Sequence, residues 1–219
     1  PGSPRPPMGF DAVVAECKAS LRRLGTSYVD LYLLHAPFCT KERLDQYRAL
    51  VELWERGLCR SIGVSNYASR HLEEIRAAGL PMPAANQIEL HPFHAQGALR
   101  AYMRDHGILP IAYSPLLPLP DWRSGRPTGK ASRGSTLPGD DLPFARIAAG
   151  YGRSEAQLLL RWALQAGCPV VPKSARPGRI RENLAIFDFE ISAGDMAALD
   201  ALDRGVALAW QSGDPASAP

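Results

Sequence analysis

Nowhere along this chain do apolar residues run together for the roughly 20 positions that a membrane-spanning helix needs, so no membrane partner is expected. The stretch Pro1 to Pro7 is rich in proline and lacks the charged and then apolar regions of a secretory signal. Cysteine is sparse: Cys17, Cys39, Cys59 and Cys168 stand far apart with no C-x-x-C pair. That excludes a disulfide framework or zinc knuckle and fits reduced thiols in a cytoplasmic chain. The net charge of +3 is spread out, and no basic run flanks aromatic residues, so no nucleic acid partner is expected. Glycine never falls in a G-x-G-x-x-G pattern, and Gly125, Gly129 and Lys130 miss the spacing of a phosphate loop. His91-Pro92-Phe93-His94 makes no metal site, because Pro92 interrupts any helical face and no third ligand is near in sequence. Gly63-Val64-Ser65-Asn66-Tyr67 lacks the closing glycine of a nucleophile elbow.

What the chain does have is a rhythm. Five short apolar runs each stop at polar residues: Leu31-Tyr32-Leu33-Leu34-His35, Ile62-Gly63-Val64-Ser65-Asn66, Ala85-Asn86-Gln87-Ile88-Glu89, Ile111-Ala112-Tyr113-Ser114 and Val170-Val171-Pro172-Lys173-Ser174. Helical periodicity lies between them. Asp11 is the expected N-cap of a helix with Val14, Cys17, Leu21 and Leu24 on one face. A second helix, about Glu42 to Arg56, is expected to bury Leu44, Tyr47, Leu50, Val51 and Trp54. Shorter helices carry Leu72 and Ile75, then Leu99, Tyr102 and Met103. Ser154-x-x-Gln157 is a capping box opening a helix with Leu158, Leu159 and a core Trp162. Strand followed by helix, repeated, predicts parallel strands in one sheet, with His35, Asn66, Gln87, Tyr113 and Lys173 gathered at one mouth.

The rhythm breaks over residues 117–143, where prolines and glycines predict a long loop made cationic by Arg123, Arg126, Lys130 and Arg133. Residues 1–9 read as a disordered proline-rich tail, 10–205 as a partial barrel, and 206–219 as a C-terminal tail that Trp210 could anchor. A closed barrel of eight units takes about 250 residues. The expected fold class is therefore α/β: a (β/α)8 TIM barrel truncated at its N-terminus, with five of eight parallel strands present. An open five-stranded parallel sheet is the alternative, but its phosphate loop is absent.

In this order, Val29-Asp30-Leu31-Tyr32-Leu33-Leu34-His35-Ala36-Pro37, Ile62 to Asn66, Asn86-Gln87-Ile88-Glu89-Leu90-His91-Pro92, Ala112-Tyr113-Ser114-Pro115-Leu116 and Val171-Pro172-Lys173-Ser174 resemble the signatures of the aldo-keto reductases. The resemblance runs from about Phe10 to Gly205. It implies a barrel that binds NADPH without a Rossmann fold and reduces a small aldehyde or ketone to an alcohol. By the same resemblance, Ser65, Asn66 and Gln87 hold the nicotinamide carboxamide, and the Tyr113 ring stacks on one nicotinamide face, with Ser114 and Leu116 joining the cofactor set. Lys173, Ser174 and Arg179 match positions that grip the adenosine 2′-phosphate, with Arg176 nearby, and Glu182 and Asn183 match positions at the adenine.

His35 matches the histidine that directs the substrate carbonyl. The family's proton-donating Tyr, with its Asp and Lys, lies on earlier strands that find no match here, so this chain by itself is expected to reduce little. The alternative is a non-catalytic NADPH-binding or regulatory module. A complete barrel would be expected to be a monomer.

Overall fold

A computed structural model describes residues 9–119, 143–210 and 214–219. The proline-rich start and the cationic part of the 117–143 segment, with Trp122, lie outside the described residues.

In chain order the elements are α1 (Phe10–Leu24), β1 (Val29–Leu34), α2 (Arg43–Glu55), β2 (Cys59–Ser65), α3 (Ser69–Ala77), β3 (Ala85–Glu89), α4 (Gly97–Asp105) and β4 (Leu109–Tyr113). Helices α5 (Phe144–Gly150), α6 (Glu155–Gln165), α7 (Pro177–Leu184) and α8 (Ala193–Asp200) follow, then a 3-10 turn at Pro215–Ser217. The fold is α/β. Hydrogen-bonded strands follow chain order, β1-β2-β3-β4, and β2 pairs in parallel with both β1 and β3. Val29 faces Cys59, and Gly63 faces Ala85.

Among the described residues the expected five strands are corrected to four, the fifth being reduced to a bridge. Val170 makes only an isolated parallel bridge with Ala112, through Ala112 N–H to the Pro169 carbonyl at 2.7 Å and Val171 N–H to the Ala112 carbonyl at 3.1 Å. On one side Pro169 has no N–H to continue the ladder, and on the other β4 turns away at Ser114, φ 53°. No described helix is long and apolar enough to cross a membrane.

Contacts divide the chain into two compact units. The first takes in the described residues up to Gln87, with Ala98–Leu109 and Pro215–Pro219. Its core includes Tyr47, Leu50, Leu53, Val64, Leu72 and Ile75. Gly63 sits where β2 runs closest to its neighbours: a Cβ there would stand 2.5 Å from the Ala85 carbonyl oxygen and 2.6 Å from the Leu33 side chain. Gly63→Ala is expected to cost about 1–3 kcal/mol of stability, read as an earlier urea midpoint. An unchanged midpoint would mean that β2 and β3 part easily.

Two helix faces differ from expectation. Helix α1 starts at Phe10 with Gly9 as its N-cap, which leaves Asp11 in the first turn. It buries Val13, Cys17 and Leu21, while Leu24 is 66% exposed. In α2, Leu53 takes the buried place expected for Trp54, which is 44% exposed. That helix also buries Arg43. Its guanidinium makes a paired hydrogen bond with Glu74 at 2.9 and 3.0 Å and donates to the carbonyls of Pro37 and Pro219. The Nδ1 of His71 accepts the Ala68 N–H, so its Nε2–H donates to the Ala218 carbonyl at 2.8 Å. Burial holds this imidazole below its ordinary pKa, which favours the neutral form.

The second unit takes in Ile88–Gly97 and the described residues from Pro110 to Asp214. Trp162 is in its core, as expected, and donates its indole N–H to Asp200 at 2.8 Å. The capping box also forms: Gln157 N–H donates to Ser154 Oγ at 3.3 Å, and Ser154 N–H to Gln157 Oε1 at 3.1 Å. Leu117 and Leu119 were expected in a loop. They lie buried in successive turns after β4, with their N–H groups on Ser114 and Leu116 carbonyls. Helix α5, unexpected from the sequence, packs Phe144 against Phe93 at 6.0 Å between ring centres.

Candidate functional site

In the first unit, the ends of β1, β2 and β3 bring His35, Ser65, Asn66 and Gln87 together. Asn66 ends β2 in the left-handed region at φ 63°, a conformation that asparagine tolerates better than most residues. Its Nδ2 donates to the His35 carbonyl at 2.9 Å and to Ser65 Oγ at 3.0 Å. Ser65 Oγ donates in turn to the Gln87 carbonyl at 2.8 Å, and Asn66 N–H donates to the same carbonyl at 2.9 Å. These donors brace the strand ends against one another. Gln87 keeps a half-buried side-chain amide with no partner among the described residues, and the His35 side chain is exposed.

In the second unit, β4 ends at Tyr113 and turns at Ser114, itself left-handed at φ 53°. The Tyr113 hydroxyl accepts the Trp210 indole N–H at 2.8 Å. Burial pushes the Tyr113 pKa up, so the phenol keeps its proton at neutral pH.

Beside it lies a group the sequence reading did not single out. Glu89, 3% exposed, takes hydrogen bonds from the N–H groups of Leu208 and Ala209 and from His91 Nε2 at 2.9 Å. Burial alone would raise this carboxyl pKa. The His91 hydrogen bond and the two backbone donors outweigh burial and hold it below the ordinary range. A carboxylate inside the apolar run Ile88-Glu89-Leu90 was the available signal, since a buried charge needs partners.

Lys173, Ser174, Arg179, Glu182 and Asn183 all line one cleft of about 280 Å³ in the second unit, with Leu116, Leu119 and residues 154–156 completing it. Ser174 Oγ accepts the Arg176 N–H at 3.1 Å, which shapes the turn into α7, and Pro177 opens that helix without an N–H to satisfy. Lys173 is exposed and its ammonium has no hydrogen-bond or ion-pair partner among the described residues. Lys173 and Ser174 before a helix N-terminus, with Arg179 in the helix's first turn, suit an anion. One helical turn on, a carboxylate and an amide suit a polar ring.

Ser154, known from sequence only as a helix cap, also donates its hydroxyl to the Glu182 carboxylate. Gln157 Nε2 donates to the Ala185 carbonyl at 2.9 Å, tying the end of α7 to the start of α6. Glu155 lines the cleft too, and its position at the start of α6 was the only sequence cue to it. Among the described residues, no group of three or more His, Cys, Asp or Glu side chains could hold a metal ion.

The model of the Aldo/keto reductase family matches residues 4–204. An aldo-keto reductase of Mycolicibacterium vanbaalenii is 44% identical over 199 residues, a match covering 90% of this chain, and this chain spans 65% of that relative's length. Among solved structures, apo Gox0644 aligns with a TM-score of 0.81 at 36% identity, over 97% of this chain and 72% of that one. An aldo-keto reductase of Bombyx mori in complex with NADP aligns with a TM-score of 0.79 at 29% identity, over 94% of this chain and 67% of that one. The matched span takes in both the strand ends and the cationic cleft, and the chain belongs to the aldo/keto reductase family.

Proposed function

We propose that this chain binds NADPH through the cleft of Lys173, Ser174 and Arg179, and that the protein it represents reduces a small aldehyde or ketone. The observation that carries the reading is the Lys173 ammonium, without a partner among the described residues, lining one cleft with Arg179, with the Ser174 hydroxyl shaping the entry to α7. A phosphomonoester carries close to two negative charges at neutral pH, and a guanidinium can meet it with two parallel N–H donors. The Glu182 carboxylate, oriented by Ser154, would accept from the adenine amino group, with the Asn183 amide beside it. The Bombyx mori relative, solved with NADP, supports the same class of cofactor.

When bound, NADPH supplies the hydride. This chain's residues bind and orient. The Tyr113 ring offers a flat face to stack on, and the Gln87 amide, without a partner among the described residues, is proposed for the carboxamide. His35, exposed at the end of β1, is the residue proposed to direct a carbonyl oxygen. Cofactor binding is proposed for this chain itself. Turnover is proposed for the whole protein, since this chain spans 65% of the length of its relative.

Parallel titrations with NADPH and NADH, followed by nicotinamide fluorescence, test the reading. NADPH should bind at least about tenfold more tightly, the effect of one good charge-assisted contact. Equal affinities would remove the phosphate assignment. The non-catalytic alternative shares the same cleft, and turnover of an aldehyde by the NADPH-loaded chain separates the two.

A further inference from the structure

Residues 203–210 form a strap laid along the segment that follows β3. Asp203 Oδ1 accepts the Ala95 N–H at 3.2 Å, the N–H groups of Arg204 and Val206 both donate to the Phe93 carbonyl at 3.2 Å, and the Arg204 guanidinium lies 5.1 Å from the centre of the Phe93 ring. Leu208 and Ala209 then give their N–H groups to the Glu89 carboxylate. The next residue, Trp210, donates its indole N–H to the Tyr113 hydroxyl. Irregular backbone rarely holds a side chain still, but this one is tied at three successive places before it reaches the tyrosine.

Resting on the dinucleotide reading above, we infer that Trp210 is a positioning residue for Tyr113: seated by Glu89, its indole N–H holds in place the ring on which the nicotinamide is proposed to lie. A tyrosine ring swings about χ1, and a hydrogen bond at the hydroxyl, the atom farthest from Cβ, holds that swing in place. The main chain is held at the other end, where Ser114 turns sharply out of β4. An indole N–H only donates, so the tyrosine keeps its own proton for another partner. The strap thereby pre-orders a stacking surface before the cofactor arrives, and a side chain already ordered costs the ligand less to bind.

The test uses the full chain with Trp210→Phe, Tyr113→Phe and the double variant, each titrated with NADPH by nicotinamide fluorescence and with adenosine 2′,5′-bisphosphate by calorimetry. Trp210→Phe fills much of the same space and loses the donor, and Tyr113→Phe keeps the ring and loses the acceptor. Each single variant should raise the Kd for NADPH about threefold to tenfold, the range expected for ordering one aromatic side chain. The double variant should be no weaker than the weaker single, and affinity for the bisphosphate should not change in any of them. Should one variant fold poorly, the other removes the same bond from the opposite side. Wild-type affinity for NADPH in Trp210→Phe, or losses that multiply in the double variant, would overturn the inference while leaving the cofactor reading intact. Failure of the wild-type chain to bind NADPH would end both.

Discussion

Replacing Lys173 and Arg179 together by alanine is expected to weaken NADPH about hundredfold while changing NADH by no more than about threefold. The two side chains line the same cleft beside Ser174. A hydrogen bond to a charged group contributes about 1.5–3 kcal/mol, and each tenfold in affinity corresponds to about 1.4 kcal/mol. Lys173 is exposed, so salt and water weaken its share, and Arg179 should account for the larger single loss. Added salt should narrow the gap between the two cofactors in the wild type, because the contact that distinguishes them is ionic. Fluorescence titrations at low and high salt check both points. Losses of equal size for NADPH and NADH would show that these residues act on something common to the two, such as the fold of α7.

Glu89→Ala is expected to destabilise the protein by about 3 kcal/mol, which for a chain of this size lowers Tm by about 6–12 °C. The substitution leaves the N–H groups of Leu208 and Ala209 and the His91 Nε2–H without their acceptor in a buried place. Each such orphan costs about 1–3 kcal/mol, less whatever the strap regains by lifting towards water. The carboxylate also makes stability depend on pH. Its folded pKa lies below the ordinary 4.5, so the unfolded chain takes up the proton first as pH falls. The stabilisation is complete above about pH 4.5 and is lost as pH drops through the lower folded value. Melting curves from pH 7 downwards should therefore fall more steeply below 4.5 for the wild type than for Glu89→Gln. Parallel curves would mean that folding leaves the Glu89 pKa where it is in the unfolded chain.

Much of this architecture could be read from the chain because its signals are local. Apolar runs read as ending at His35, Asn66, Glu89 and Ser114 coincide with strands that end there or one residue earlier. The residues of the cationic cleft from Lys173 to Asn183 are close in sequence, so one passage from the Val170 bridge into α7 exposes them together. What could not be read depends on partners far away in sequence. Periodicity alone does not separate Val13 from Val14, or Leu53 from Trp54, because both neighbours are apolar and both spacings suit a helix; the packed neighbours decide. Arg43 is buried only because Glu74 and Pro219 satisfy it. The backbone donors that stabilise Glu89 lie more than a hundred residues downstream. Pro169 and the turn at Ser114 limit an expected fifth strand to a bridge, although Pro169 was in plain view.

The most direct test needs no nicotinamide. Calorimetric titration of the chain with adenosine 2′,5′-bisphosphate and with adenosine 5′-monophosphate compares two ligands that differ by the one phosphate assigned to Lys173, Ser174 and Arg179. The bisphosphate should bind at least about tenfold more tightly, and the difference should vanish when Lys173 and Arg179 are both alanine. Equal affinities in the unaltered chain would place that phosphate outside the cleft.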